Sequence, residues 1–253
     1  MKKALFILAS AALLLMGCVK EPAGGATDKG ETIEVSFVTT IEKSAATKAV
    51  TDNDGHAANV NHWVVEVRDE QNDLFFREER DVPTATLQQV YTFKLFKNQT
   101  YSLQFWADTK NAYDTHDLTA VSRNVWTANA DSLDAFSCNV ANYTSLVSES
   151  KNVTLYRPFA QLNIITCDLD ELKAKAKEAT YTKYAPEELQ VVAEIPTKFN
   201  VQTQAAGDVE ERVITAEKSY AQFAGAPETT LFMDYIFASK EEADILNIDF
   251  KTM

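Results

Sequence analysis

Short runs in which every second residue is apolar recur from Thr32 onward, and they restrict the fold of this chain more than any other feature. In the first run, Ile33, Val35 and Phe37 alternate with polar neighbours. A repeat of two residues is typical of a β-strand that buries one face. We therefore predict a mainly β protein, with further strands around Val213 and in the runs at 63–67, 74–76, 91–95, 101–105, 153–164, 189–195, 199–201, 231–238 and 245–250.

The region at 91–105 carries the clearest hairpin signal in the chain. Apolar residues hold alternate positions before and after the polar turn Lys97–Thr100. Asn98 tolerates the left-handed backbone that a tight turn between two strands requires. The sequence therefore predicts two paired strands around Asn98, with apolar faces formed by Tyr91, Phe93, Leu95, Tyr101, Leu103 and Phe105.

Between Ala107 and Tyr143 the alternation gives way to Asp, Asn, Ser and Ala residues. Leu133 and Phe136 are the expected inward anchors of this stretch. A long polar excursion inside a β domain is either a functional loop or a pair of short helical turns. Both interpretations fit the sequence here.

Pro158 interrupts the longest strand-like run, Asn152–Thr166. Proline has no N–H to donate to a strand ladder, so the chain must bend there. We interpret this bend as a junction and predict an N-terminal domain at 32–150 and a C-terminal domain at 151–253. For Asp168–Ala179 the sequence predicts one short surface helix with Asp168 at its N-cap.

The N-terminal segment has the features of a lipoprotein leader. Lys2 and Lys3 precede a 13-residue uncharged run, which is shorter than the roughly 20 residues that cross a bilayer. The run ends in Leu15-Met16-Gly17-Cys18, a lipobox-like sequence. We expect a signal peptide at 1–17, an acylated Cys18 that attaches the protein to the outer membrane, and a flexible tether at 18–31. The alternative is an ordinary secretory signal whose cleavage site happens to adjoin a cysteine.

Composition excludes some classes of function. The formal net charge of −13 opposes binding to nucleic acid and to anionic membrane surfaces. Apolar residues make up 45% of the chain, which is enough for folded cores. Besides Cys18, the chain has only Cys138 and Cys167. In an oxidising envelope these two could form a disulfide, or they could remain two separate half-buried thiols.

Motifs that carry catalytic chemistry are missing from the sequence. His56, His62 and His116 lack metal-ligand spacing, and there is no nucleophile elbow, phosphate loop or zinc pattern. We therefore expect no enzyme activity, no cofactor and no metal. Trp106 and Trp126, with Trp63, leave a carbohydrate platform open as an alternative. A coplanar exposed pair of indoles would favour glycan binding, whereas buried indoles would favour a structural subunit.

Four segments resemble, in order, the strands of fimbrillin-like lipoproteins of Bacteroidota: Asn98–Ala107, Leu133–Ser137, Asn152–Ile164 and Leu231–Ala238. The resemblance implies two transthyretin-like β-sandwich domains. It also implies a surface lipoprotein that assembles into, anchors or caps a type V pilus. In that system an arginine-specific protease removes the N-terminal strand, and a strand from a partner subunit fills the exposed groove.

Two features depart from that family pattern. The cleavage position falls near Thr47-Lys48-Ala49, where Lys48 replaces the expected arginine. This departure argues against maturation at Lys48 by an arginine-specific protease and favours a permanently anchored subunit. The family's terminal strand motif is also not found, so we expect the second domain to lack its last strand and to expose an unpaired edge. The predicted function is a non-enzymatic structural or adhesive surface lipoprotein that pairs with other fimbrial subunits by strand addition; the alternative is a lipid-anchored glycan- or ligand-binding module.

Overall fold

The computed structural model describes residues 30–42, 57–126, 128, 133–166, 188–217, 229–239 and 248–252. All of the elements in these ranges are β-strands, which confirms the predicted mainly β class. The predicted leader, most of the tether and the predicted helix at 168–179 lie outside the described residues.

The strands are numbered in chain order. Those of the first half are β1 Thr32–Ile41, β2 His62–Arg68, β3 Leu74–Asp81, β4 Gln88–Phe96, β5 Thr100–Asp108, β6 Tyr113–Asp114, β7 Val121–Arg123, β8 Phe136–Thr144 and β9 Glu149–Leu155. The later strands are β10 Phe159–Thr166, β11 Glu188–Asn200, β12 Ala205–Glu217, β13 Thr229–Phe237 and β14 Ile248–Thr252.

Two sheets pack face to face to form the first sandwich. Sheet A has the order β4-β1-β9, and sheet B has the order β3-β2-β5-β8. Their inward side chains form one buried cluster. In it the ring of Phe37 lies 5.7 Å from Phe93 of sheet A and 5.8 Å from Phe105 of sheet B, measured between centroids. Contacts of this kind across two sheets are the packing of a β-sandwich.

The predicted hairpin around Asn98 is wrong. β4 pairs with β1 in sheet A, whereas β5 pairs with β2 and β8 in sheet B. Asn98 has the expected positive φ of 62°, and its N–H donates to the Ser145 carbonyl at 2.8 Å. The turn around Asn98 therefore exists, but it connects a strand of sheet A to a strand of sheet B. Alternation of apolar residues identifies the buried face of a strand but not the strand with which it pairs. The apolar faces of β4 and β5 meet across the core instead of lying side by side.

A second pair of sheets is built mainly from the later strands. Sheet C has the order β12-β11-β7-β6, and β14 also pairs with β11. Sheet D consists of β10 and β13 within the described ranges. Between them lies a buried cluster that includes Val191, Ile195, Ile214, Phe232 and Ile236.

The described part of the polar excursion contains the hairpin β6–β7, which was not predicted, and a functional loop stays a prediction for this stretch. β7 continues into sheet C, where Val121 lies opposite Phe199 of β11. Strands of two and three residues are too short for alternation to reveal them. The hairpin also covers the outer face of sheet B, where Val64 and Trp106 pack against Tyr113 and Phe199.

The chain changes sheets at the Pro158 bend. Leu155 ends β9 in sheet A, and Phe159 begins β10 in sheet D. This change therefore falls later than the predicted boundary between residues 150 and 151, although the division into two domains stays a prediction. Beside the bend, Arg157 forms a bidentate ion pair with Asp134, with nitrogen–oxygen distances of 2.7 and 2.9 Å.

Candidate functional site

Strand β1 runs through the middle of sheet A. It pairs antiparallel with β4 from Thr32 to Thr40 and parallel with β9 from Val35 to Ile41. Neighbours on both sides therefore hold it by backbone hydrogen bonds. Removal of β1 would leave a slot in sheet A with an unpaired strand edge on each side, and unpaired edges are templates for another strand.

The inward face of β1 contributes a row of buried side chains to the first core. Ile33, Val35, Phe37, Thr39 and Ile41 are buried, while the side chains between them are exposed or half-buried. Burying a Val, Ile or Phe side chain stabilises a protein by about 1.5–3 kcal/mol, so the four apolar members contribute about 6–12 kcal/mol. A whole domain is stable by only about 5–15 kcal/mol, so an empty slot would not persist in water.

Phe37 fills an aromatic pocket at the centre of the slot. Its ring centroid lies 5.7 Å from Phe93, 5.8 Å from Phe105 and 5.4 Å from Tyr143, the last in an edge-on contact. The Tyr143 hydroxyl donates to Glu149 Oε1 at 2.9 Å. Burial, together with this carboxylate, raises the pKa of Tyr143, so the phenol remains a neutral donor.

Thr39 is the polar member of the inward row. Its side chain is fully buried, and Oγ1 donates to the Gln89 carbonyl at 3.0 Å. Gln89 lies directly opposite Thr39 on β4. The wall of the slot therefore presents a hydrogen-bond acceptor next to its aromatic pocket.

Both lateral openings of the first sandwich are closed by specific contacts. On one side, Ser137 of β8 and Tyr156 exchange two backbone hydrogen bonds of 2.8 and 2.9 Å. On the other side, Arg80 of β3 donates to the Val90 carbonyl of β4 at 2.8 Å and lies over the Tyr91 ring at 4.3 Å. Contacts of this kind blunt sheet edges against pairing with other chains. The slot of β1 is therefore the better candidate for an incoming strand.

Both ends of β1 are tied to the sandwich. At its start, the Lys97 N–H donates to the Glu31 carbonyl at 2.8 Å, and the side chains of these residues form an ion pair at 3.0 Å. At its end, the Glu42 N–H donates to the Leu155 carbonyl at 3.0 Å. The chain next enters residues 43–56, which contain Lys48 and lie outside the described ranges.

Most of the predicted site residues lie where the structure gives no description. Cys18, Lys48 and Cys167 are outside the described ranges. Cys138 lies on β8, half-buried against the first core. Acylation, proteolysis and the disulfide therefore stay predictions. Among the described residues, no three His, Cys, Asp or Glu side chains are grouped so as to hold a metal ion.

The tryptophans do not form an exposed platform. Trp63 is fully buried in the first core. Trp106 is fully buried on the outer face of sheet B. Trp126 is half-buried, and the guanidinium groups of Arg123 and Arg212 lie 4.8 and 5.0 Å from its ring centroid. A coplanar exposed pair of Trp106 and Trp126 is therefore not present.

A charge cluster at the end of sheet B, in which His62 and Asp108 are buried and Glu79 is exposed, was not predicted from the sequence. His62 Nδ1 lies 2.6 Å from Asp108 Oδ1, and Nε2 lies 2.9 Å from Glu79 Oε1. Burial favours neutral imidazole, but the two carboxylates outweigh it and raise the pKa of His62. Burial raises the pKa of Asp108, and the hydrogen bond from His62 lowers that of Glu79. Because the three residues come from different strands, no local spacing could have revealed the cluster.

A second buried ion pair joins two sheets. Arg123 of β7 contacts both carboxylate oxygens of Asp234 on β13 at 2.8 Å. Both side chains are almost completely buried. Burial raises the pKa of Asp234, although the guanidinium opposes this shift. The pair fastens the β6–β7 hairpin to sheet D and has no open face for a substrate.

Comparison by sequence places the chain in a family without an assigned activity. The profile of a family of unknown function, DUF6562, matches residues 26–253. No curated protein matches the chain. The described residues contain no helix long and apolar enough to cross a membrane.

Comparison by structure finds fimbrial proteins. The fimbrial anchor protein Mfa2 from Porphyromonas gingivalis superposes with a TM-score of 0.51 at 10% identity, covering 87% of this chain and 78% of that one. The tip fimbrial protein Mfa3 from the same organism, with a C-terminal truncation, has a TM-score of 0.45 at 12% identity, covering 82% of this chain and 69% of that one. A fimbrial assembly protein from Parabacteroides distasonis gives 0.40 at 12% identity and coverages of 87% and 82%. The likeness to the anchor protein shows that this chain has the β-sandwich fold of a fimbrial protein.

Proposed function

We propose that this chain, which belongs to the DUF6562 family of unknown function, is a non-enzymatic fimbrial or adhesive subunit at the cell surface. The observation that carries the proposal is the position of β1. A strand near the start of the described chain fills the middle of sheet A and supplies a full row of core side chains. The fold shared with a fimbrial anchor protein supports the same conclusion.

In this proposal the subunit joins a partner by exchange of β1 for a partner strand. An incoming strand would recover the hydrogen bonds to β4 and β9 and the apolar burial that β1 now provides. Main-chain pairing gives such strand addition its affinity, and alternate side-chain pockets give it specificity. Cleavage at Lys48, in the segment that follows β1, is the proposed route by which the slot opens; it requires a protease that accepts lysine, and it separates the sandwich from the lipid on Cys18.

The sequence of β14 suits it to such a slot. Ile248, Phe250 and Thr252 match the alternate residues Val35, Phe37 and Thr39 of β1 in spacing, with Ile in place of Val. In its own chain β14 pairs with β11 at the side of sheet C. A second copy of the chain is therefore the proposed donor.

Before this cleavage, the proposed location is the outer membrane, with the N-terminus held by an acylated Cys18. The Cys18→Ala variant is expected to leave the membrane fraction and appear in the culture medium. Shearing of intact cells should release a ladder of oligomers that resists mild denaturant, because exchanged strands are part of folded cores. A monomeric protein in sheared material would contradict the assembly function, whereas an unchanged location of Cys18→Ala would contradict the lipid anchor alone.

A further inference from the structure

Resting on the strand exchange proposed above, we infer that the slot selects its incoming strand by a hydroxyl group at the position of Thr39. The other members of the inward row of β1 are apolar, so they recognise shape and volume. Thr39 is fully buried among them and makes a directed hydrogen bond to the Gln89 carbonyl at 3.0 Å. It is therefore the position at which the slot distinguishes strands of equal hydrophobicity.

The acceptor belongs to the wall of the slot and not to the strand that leaves. Gln89 lies on β4, opposite Thr39 in the ladder. An incoming Ser or Thr places its hydroxyl against this carbonyl, whereas Val has the same shape as Thr and no donor. The carbonyl keeps the ladder hydrogen bond from the backbone N–H of any incoming residue, so Val loses only the net value of the hydroxyl's bond, about two- to tenfold in affinity. The slot should therefore discriminate between Thr and Val although the two side chains fill the same volume.

The neighbouring subsite makes the selection more specific. Phe37, two residues before Thr39, occupies the pocket formed by Phe93, Phe105 and Tyr143. The slot thus recognises an aromatic ring and then a hydroxyl group at successive inward positions of the strand. Of the 14 phenylalanines in the sequence, Phe37 and Phe250 alone are followed two residues later by Thr.

Synthetic strands test the selection without altering the fold. The full mature chain, with a site for a sequence-specific protease placed at Lys48, is cleaved and mixed with fluorescent peptides that span residues 31–42. The peptides carry the native sequence, Thr39→Val, Thr39→Ser, or the outward-facing control Val38→Ala. Fluorescence anisotropy should show Thr39→Val binding about fivefold more weakly than the native peptide, which is the net value expected for one hydrogen bond. The Ser peptide keeps the hydrogen bond and loses one buried methyl group, so it should bind about fourfold more weakly at most. The outward-facing control should bind like the native peptide.

The outcomes separate this inference from the function on which it rests. Equal or tighter binding of Thr39→Val, while the native peptide enters the slot, would overturn the hydroxyl selection and leave strand exchange intact. Failure of every peptide, including the native one, would overturn strand exchange itself. Weak binding of the Ser peptide together with native-like binding of the Val peptide would show that volume at this position, and not the hydroxyl, is recognised, and it would also overturn the inference.

Discussion

Replacement of Phe37 by alanine is expected to lower the free energy of unfolding by about 3–5 kcal/mol, the usual range for truncating a buried phenylalanine. The side chain is fully buried, and its ring contacts Phe93, Phe105 and Tyr143. These three rings belong to β4, β5 and β8, so the substitution removes packing from both sheets of the first sandwich. The cavity lies where the two sheets meet and cannot be filled by one local rearrangement.

Denaturation of the mature chain by guanidinium chloride measures this change. The control is Thr40→Ala, which alters an exposed residue of the same strand and should change the stability by less than about 0.5 kcal/mol. In a chain of this size, 1 kcal/mol corresponds to about 2–4 °C in Tm, so Phe37→Ala should lower Tm by roughly 6–20 °C. If Phe37→Ala unfolds like the control, β1 is not part of the core and the slot described above does not exist.

Three further predictions concern charges and the turn between the sheets. Arg123→Met should lower the free energy of unfolding by about 3–5 kcal/mol because Asp234 is left buried and unpaired. The double variant Arg123→Met/Asp234→Leu should recover most of that loss in the same denaturation assay. The stabilisation from His62 should be complete below its ordinary pKa of 6.5 and disappear as the pH rises through the raised folded pKa, so the stability difference between the parent and His62→Gln should shrink as the pH rises above 6.5. Asn98→Val should lower Tm measurably, since a β-branched residue is strained at a φ of 62°, while Asn98→Gly should not.

The sequence allows the buried face of a strand to be predicted better than its neighbours. For β1, alternation identified Ile33, Val35 and Phe37 as one inward face, and all three are buried. For β4 and β5, the same kind of pattern led to a hairpin that does not form. Period-two alternation is a property of one strand, whereas pairing depends on which sheet the chain enters after the turn.

The buried charges were beyond local sequence reasoning for a related reason. Arg123 and Asp234 are 111 positions apart, and His62 and Asp108 are 46 apart. In the sequence, none of these residues differs from the charged and polar residues that lie on the surface of a protein. Only the register between β2 and β5, and the entry of β7 into sheet C, bring them together inside the protein. Cys18, in contrast, could be proposed from sequence because its lipobox-like motif is continuous, and Lys48 because the family resemblance places the cleavage there.

Native mass spectrometry of the cleaved chain tests the central claim most directly. After cleavage at residue 48, an isotope-labelled peptide of residues 31–42 is added in excess and the intact complexes are weighed. We expect the labelled peptide to replace the N-terminal fragment with one copy per chain, while the remainder of the protein stays folded. A cleaved chain that retains its own fragment indefinitely, or that unfolds when the fragment leaves and does not recover with the peptide, would contradict the exchange of β1.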